Sequence, residues 1–114
     1  MKKIEAIIRP LKLDEVKLAL GEYGVTGVSV SDVQGCGSSP IPIDVPAHRT
    51  NRGAMELPIR IRIEIVARDE DVQEIVTLIE THARTGEPGD GKIFVMPMTE
   101  AVRIRTQERG DLVL

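Results

Sequence analysis

The segment IRIRIEIVA, residues 59–67, carries the clearest β-strand pattern in the chain, with isoleucine at every second position and mainly charged residues between. Side chains of a strand alternate between its two faces, so the isoleucines share one face and Arg60, Arg62 and Glu64 share the other. A shift of this strand by one residue would bury the arginines, which fixes its register. The pattern therefore predicts a sheet with one buried face and one charged face.

The segments before this strand have a strand–helix–strand order. Residues 4–9 are rich in isoleucine and stop at Pro10, which predicts a first strand. Apolar residues recur at helical spacing in residues 13–22, and apolar and polar residues alternate again in residues 25–35. These patterns predict a helix followed by a second strand.

The segments after residue 67 repeat this order. Residues 68–84 place apolar side chains at i, i+3, i+4 and i+7 behind an acidic start, which predicts a second helix. Residues 92–98 predict a further strand, and the alternation in AVRIRT, residues 101–106, predicts a short terminal strand. The whole order indicates one α+β domain over residues 1–114, a ferredoxin-like βαββαβ sandwich with both helices on one sheet face. We expect a ligand or other copies of the chain to cover part of the opposite face.

Composition excludes some classes of function. The net charge is −3 and aromatic residues make up 2% of the chain, so a nucleic-acid partner, which favours basic and aromatic surfaces, is not expected. The single cysteine fits a reducing cytoplasm. No apolar run approaches the roughly 20 residues that a membrane-spanning helix needs.

The segment between Gly37 and Pro58 contains several prolines and shows neither helical nor strand periodicity. Structureless loops longer than about 12–15 residues are uncommon in compact domains and are usually functional or disordered. The composition therefore favours a docking loop, and an insertion without a role is the alternative.

A second segment rich in turn residues, TGEPGDGKIFV, spans residues 85–95. Gly86, Gly89 and Gly91 allow a backbone conformation that directs successive amide groups to one concave side, where an anion can bind. Lys92 adds a positive charge. On this pattern alone, a phosphate cradle and a purely structural turn remain equal alternatives, because the segment does not match a Walker A sequence.

Paired cations strengthen the phosphate interpretation. In the predicted strand at residues 101–106, Arg103 and Arg105 would point the same way, and two adjacent guanidinium groups suit phosphate oxygens. Arg60 and Arg62 repeat this arrangement, and the GCG sequence at residues 35–37 adds a second place where a ligand can approach the backbone closely. A solvated strand face is the alternative for each pair. Together these features indicate a polyphosphate site, provided that the fold brings them together.

Catalytic patterns are weak. His48 and His82 are far apart, and no Ser-His-Asp or Cys-His arrangement is evident. Cys36 stands between two glycines and is either a quietly packed residue or a soft metal ligand. No group of residues has the spacing of a zinc site.

Taken with these motifs, the chain resembles the PII signal-transduction proteins over nearly its whole length. The resemblance lies in the segments MKKIEAIIRPLKLDEVKLAL, GVTGVSVSDVQGCG, RIEIV, TGEPGDGKIFV and VRIRT. It implies a ferredoxin-like fold assembled as a homotrimer, with nucleotide sites in the clefts between subunits. In the family's terms, residues 82–92 are similar to the B-loop, residues 38–57 to the T-loop, and residues 102–114 to the C-terminal loop region.

The resemblance also implies roles for individual residues. Those that would surround the nucleotide phosphates in one subunit are Gly35, Cys36 and Gly37 at the T-loop root, Arg60, Gly89, Asp90, Gly91 and Lys92. Among them, Asp90 would shape the turn. Arg103 and Arg105 would reach across from the neighbouring subunit. Those that would surround the adenine and ribose are Gly27, Val28, Ser29 and Glu64. The ligands implied are ATP, ADP or AMP, with Mg²⁺ as a candidate companion ion.

Several positions depart from the family pattern. Ser39 replaces a glutamine that in the family helps to hold Mg²⁺ and 2-oxoglutarate, which argues against 2-oxoglutarate sensing. Ser38 replaces a phosphate-binding cation, and Met55 or Glu56 replaces the tyrosine that relatives modify, so uridylylation there is excluded. Glu87 and Pro88 stiffen the B-loop and lower its positive potential.

The resemblance thus predicts a cytoplasmic, non-enzymatic regulator that binds adenine nucleotides and controls a target protein, such as a membrane transporter or a metabolic enzyme, through Ser38 to Leu57. Two alternatives use the same fold. One is a slow ATP phosphohydrolase, and the other is a trimeric metal-responsive module that uses Cys36 and His48.

Overall fold

The computed structural model describes residues 1–35 and 57–114. The elements form in the predicted order as β1 (Lys2–Ile8), α1 (Leu13–Tyr23), β2 (Val28–Gln34), β3 (Ile59–Ala67), α2 (Asp69–Ala83) and β4 (Lys92–Pro97). Short 3₁₀ turns occur at Pro10–Lys12 and Gly110–Val113.

The four strands form one sheet in the order β2-β3-β1-β4, and every neighbouring pair is antiparallel. In the pairing of the two central strands, Ile4 lies opposite Ile65 and Ala6 opposite Ile63. The apolar positions of both strands therefore share one face. This arrangement confirms the ferredoxin-like fold that the sequence predicted.

The core lies between that face and the two helices. Ile4, Ile63 and Ile79 are fully buried, and Val16 and Leu20 of α1 join them. α1 ends at Gly24, whose φ of +104° suits glycine and whose N–H donates to the carbonyl oxygen of Leu20 at 3.2 Å. Helix and sheet thus meet through the residues that the periodicity selected.

The opposite face of the sheet carries the predicted charges. Lys3 Nζ lies 2.6 Å from Glu64 Oε2, and Arg62 Nε lies 3.2 Å from Glu64 Oε1. The ammonium group of Lys3 bonds to this carboxylate and holds the pKa of Glu64 below its usual range. One ion pair between β1 and β3 and one within β3 therefore lie on a face that neither helix covers.

The terminal strand predicted at residues 101–106 is wrong. These residues lead into a tight turn in which Gln107 N–H donates to Arg103 O at 2.7 Å and Arg103 N–H donates to Glu108 O at 2.9 Å. Thr106 Oγ1 donates to Glu108 Oε1 at 2.7 Å, so local side-chain hydrogen bonds support the turn instead of a sheet ladder. Ile104 is 93% exposed, so the alternation in this segment does not mark a buried face.

Within the described ranges, no helix is long and apolar enough to cross a membrane.

Candidate functional site

The glycine-rich turn joins the end of α2 to the start of β4. Gly86, Gly89 and Gly91 have φ values of +90°, +102° and +97°. Other residues rarely adopt this backbone conformation, so the three glycines are required by the path of the chain. The glycines thus have the backbone conformations that the sequence led us to expect, while the phosphate cradle stays a prediction.

Asp90 organises the turn from within. Its Oδ2 accepts hydrogen bonds from the backbone N–H groups of Thr85 and Gly86, each at 2.8 Å, and its Oδ1 accepts from Thr85 Oγ1 at 2.5 Å. The Thr85 hydroxyl, the Arg9 guanidinium and the two amides hold the pKa of Asp90 well below its usual range. The amides of Thr85 and Gly86 are therefore committed to Asp90 within the turn.

Gly91 packs directly against the central strand β1. A Cβ atom at this position would lie 1.7 Å from the carbonyl oxygen of Ile7. Only glycine allows the turn to approach β1 so closely. This contact fixes where the turn enters β4, and so where Lys92 begins the strand.

Arg9 belongs to the site, although no sequence pattern predicted it. Its Nε donates to Asp90 Oδ1 at 3.0 Å, and its Nη2 donates to the carbonyl oxygen of Pro88 at 2.7 Å. No spacing rule links position 9 to a turn that lies about 80 residues further along the chain. The only local signal is its place directly after β1 and before Pro10.

The structure brings together several of the predicted phosphate-binding residues. A cleft of about 690 Å³ lies where β2 ends, β3 begins and the glycine turn meets β4. Its walls include the predicted residues Gly35, Arg60, Gly89, Asp90, Gly91 and Lys92, together with Ile7, Val33 and Phe94. Arg62 also lines this cleft, and a Cβ on Gly89 would lie 3.2 Å from the Nη2 atoms of both Arg9 and Arg60. The cleft therefore combines close backbone approach with a concentration of positive charge.

A second group of predicted residues lies in a different cleft. Gly27, Ser29 and Glu64 line a cavity of about 800 Å³ near the start of β2, together with Lys3 and Tyr23. Val28 pairs with Ile65 in the sheet register, so its side chain is on the helix-facing side, away from Ser29 and Glu64. Of the residues predicted to surround the adenine and ribose, Gly27, Ser29 and Glu64 thus line this cavity, and Val28 does not.

The two clefts adjoin along β3, where Arg62 of the first lies beside Glu64 of the second, and they extend from there toward opposite ends of β2. Gly27 precedes β2 and Gly35 follows it, and at about 3.3 Å per residue the two glycines are roughly 26 Å apart. The residues predicted to hold one nucleotide are therefore divided within a single chain between two separate places.

Arg103 and Arg105 line neither of these clefts. Arg103 Nη1 donates to Glu108 Oε1 at 2.6 Å, and Arg105 is exposed in the turn that follows. The strand from which the two guanidinium groups were expected to point the same way does not form, so their shared direction stays a prediction. Cys36, Gly37, His48 and nearly all of the predicted T-loop lie outside the described residues.

The comparisons with known proteins agree with this architecture. The family model described as "Nitrogen regulatory protein P-II" matches residues 1–108. The chain belongs to the PII nitrogen regulatory protein family. The P-II protein of Microchaete diplosiphon is 47% identical over 110 residues, which cover 96% of each chain, and that of Azospirillum brasilense is 44% identical with the same coverage.

A solved PII structure shows the same fold. The crystal structure of Arabidopsis thaliana PII bound to citrate superposes on this PII chain with a TM-score of 0.79 and 38% sequence identity, covering 97% of this chain and 89% of that one. The names of these relatives describe regulatory proteins and not enzymes. The sequence-based assignment to PII is confirmed.

Proposed function

We propose that this PII protein binds ATP, ADP or AMP between the subunits of a homotrimer and passes the nucleotide state to a target protein through residues 38–57. The observation that carries the proposal is the cleft in which Gly89, Gly91 and Lys92 meet Arg60 and Gly35. Backbone amides in a positive-φ turn and adjacent cations suit the several oxygens of a polyphosphate. The net charge of the chain is −3, so this positive charge is a local feature.

The division between two clefts supports a site shared by two subunits. The phosphate-type residues and the residues around Glu64 line two separate clefts of one chain, and these clefts extend to Gly35 and Gly27 at the two ends of β2. Rotation of identical copies about a closed axis places one end of a subunit against the other end of its neighbour. A homotrimer of this kind would complete three identical sites and cover the charged sheet face.

The cations of the phosphate cleft have distinct proposed roles. Lys92 supplies a point charge at the start of β4, and Arg60 offers a planar guanidinium to a terminal phosphate or to an acidic effector. Arg103 and Arg105 would come from the neighbouring subunit. A ligand shifts the populations of two loop conformations only by the difference between its affinities for them. If the loop is to report which nucleotide is bound, ATP and ADP must therefore contact the loop root differently.

Mg²⁺ would be held largely by the phosphates themselves. Of the two carboxylates that line the cleft in the described part of the chain, Asp90 is already bonded to Arg9, Thr85 and Gly86, which leaves Glu87. Magnesium commonly binds through one or two carboxylates together with substrate phosphates and water, so this donor set fits an ion that accompanies the nucleotide.

The target is proposed as a cytoplasmic-side partner, either a membrane transporter or a metabolic enzyme. The altered loop root, with Ser38 and Ser39, favours a sensor of nucleotide ratio over a sensor of 2-oxoglutarate. The PII protein of Arabidopsis thaliana was crystallised with citrate bound, so small carboxylates are a useful comparison in the binding experiment.

Isothermal titration calorimetry tests the proposal with ATP, ADP and AMP, each with and without Mg²⁺, 2-oxoglutarate and bicarbonate. We expect saturable binding of at least one nucleotide, and a Lys92→Ala variant that binds it at least about tenfold more weakly, since a charge-assisted hydrogen bond is typically worth about 1.5–3 kcal/mol. Lys17→Ala, which removes an exposed charge on α1, is the matched control. Absence of binding at millimolar nucleotide would contradict the proposal.

A further inference from the structure

We infer that Arg9 is a positioning residue of the phosphate cleft: it holds the glycine turn in its binding conformation by bridging Asp90 and the backbone of Pro88. This inference rests on the proposed nucleotide function. It assigns to Arg9 an action through the turn, not a direct contact with the nucleotide.

The contacts of Arg9 form a clamp between two distant parts of the chain. Its Nε and Nη2 bond to Asp90 Oδ1 at 3.0 Å and to Pro88 O at 2.7 Å, and Nη2 also lies 3.5 Å from Glu87 O. One planar group thus joins a side chain and the backbone of the same turn to the end of β1.

The turn needs such a clamp because of its composition. Three of its residues are glycines at positive φ, and glycine has more conformational freedom to lose on ordering than any other residue. Asp90 fixes the first part of the turn through Thr85 and Gly86. Arg9 is the group that connects this internal network to the sheet, so it also fixes the amides near Gly89 relative to Arg60.

The chemistry of arginine makes the inference testable with conservative changes. Lysine keeps the positive charge but presents a single nitrogen, which cannot reproduce the fixed geometry of two bonds from a planar fork. If only charge mattered, Arg9→Lys would preserve binding. If the clamp matters, Arg9→Lys should behave as an intermediate between the natural protein and Arg9→Ala.

Two measurements on the full chain test the clamp. The first is hydrogen exchange of the amides of Thr85 and Gly86 without nucleotide, which we expect to become about tenfold faster in Arg9→Ala because the carboxylate that they bond loses its anchor. The second is ATP affinity by calorimetry, which we expect to fall about tenfold in Arg9→Ala and about threefold in Arg9→Lys. Lys17→Ala is again the control, because it removes the same charge. Its amide exchange rates at Thr85 and Gly86 and its ATP affinity should stay unchanged.

A double-mutant cycle tests whether Arg9 acts through Asp90. If Arg9 acts through Asp90, then ATP should bind to the double variant Arg9→Ala/Asp90→Asn no more than about twofold more weakly than to Asp90→Asn alone. Additive losses would show that Arg9 does not act through Asp90 and would overturn the inference. Unchanged exchange in Arg9→Ala would overturn it as well.

The two proposals fail in different ways. A natural protein that binds no nucleotide would contradict the proposed function, while the exchange measurement would still decide whether Arg9 holds the turn. A natural protein that binds ATP, with an Arg9→Ala variant of equal affinity, would leave the proposed function intact and refute the role of Arg9.

Discussion

Replacing Gly91 by alanine tests the most restrictive contact in the structure. The added Cβ would stand 1.7 Å from the carbonyl oxygen of Ile7, whereas real Cβ atoms essentially never approach other atoms closer than 3.0 Å. The start of β4 must therefore move away from β1 by more than an ångström. The backbone at Gly91 also has a φ of +97°, which side chains disfavour.

The two costs can be separated by a matched variant. Gly86 has a similar φ of +90°, but a Cβ there would meet nothing within 4 Å. Gly86→Ala should therefore cost only the conformational strain, about 1–2 kcal/mol. Gly91→Ala adds the displacement of a packed strand, which typically costs about 1–3 kcal/mol more, and its total should therefore be about 2–5 kcal/mol.

Urea unfolding of both variants and the natural protein measures the difference. All three must be compared at one subunit concentration, since association with other copies shifts apparent stability. We expect the midpoint of Gly91→Ala to lie clearly below that of Gly86→Ala, and its ATP affinity to fall more. Equal midpoints for the two variants would refute the argument that close packing on Ile7 fixes the turn.

Single contacts give three further predictions. The pKa of Asp90 is lowered in the folded protein, so its ionised form stabilises the fold at pH values above its unfolded pKa of about 3.9. This stabilisation is lost as the pH falls further, so the urea midpoints of the natural protein and of Asp90→Asn should converge between about pH 7 and pH 2. A constant difference between the two midpoints would contradict this reasoning. Ile79 is fully buried, so Ile79→Val should lower the free energy of unfolding by about 0.5–1.5 kcal/mol, and no loss would show that its core contacts are misassigned. The hydroxyl of Tyr23 donates to Asp71 Oδ1 at 2.9 Å between the two helices, so Tyr23→Phe should lower the urea midpoint slightly, and a stabilised variant would argue against this bond in solution.

The fold could be predicted because its main signals are periodic and local. The alternation in residues 59–67 selects Ile61, Ile63 and Ile65, which are buried, although Ile59 at the start of the strand is exposed. The helical spacing selects Val72, Ile75 and Ile79, which are buried as well. Each pattern needs only neighbouring residues to be read. The same kind of reasoning was wrong for residues 101–106, because hydrogen bonds among Arg103, Thr106 and Glu108 form a turn that alternation alone does not reveal.

The site was only partly predictable because it depends on long-range contacts. The glycines indicated a special turn, and Lys92 indicated a charge beside it. The clamp between Arg9 and Asp90 joins residues that no spacing rule connects, and the packing of Gly91 on Ile7 depends on the register between β1 and β4. That the residues around Gly27 and those around Gly35 line separate clefts likewise became clear only once the sheet had been assembled.

The central claim is that two subunits share each nucleotide site, and mixed trimers test it most directly. Lys92→Ala damages one half of the site and the double variant Arg103→Ala/Arg105→Ala damages the other, so each pure variant should bind ATP weakly. Unfolding the two variants together and refolding them as a mixture should restore about one site in four to natural affinity. In a closed ring, each trimer that contains both variants has one interface at which an intact Lys92 meets an intact Arg103 and Arg105. A mixture that binds ATP no better than the average of the two variants would contradict the shared site.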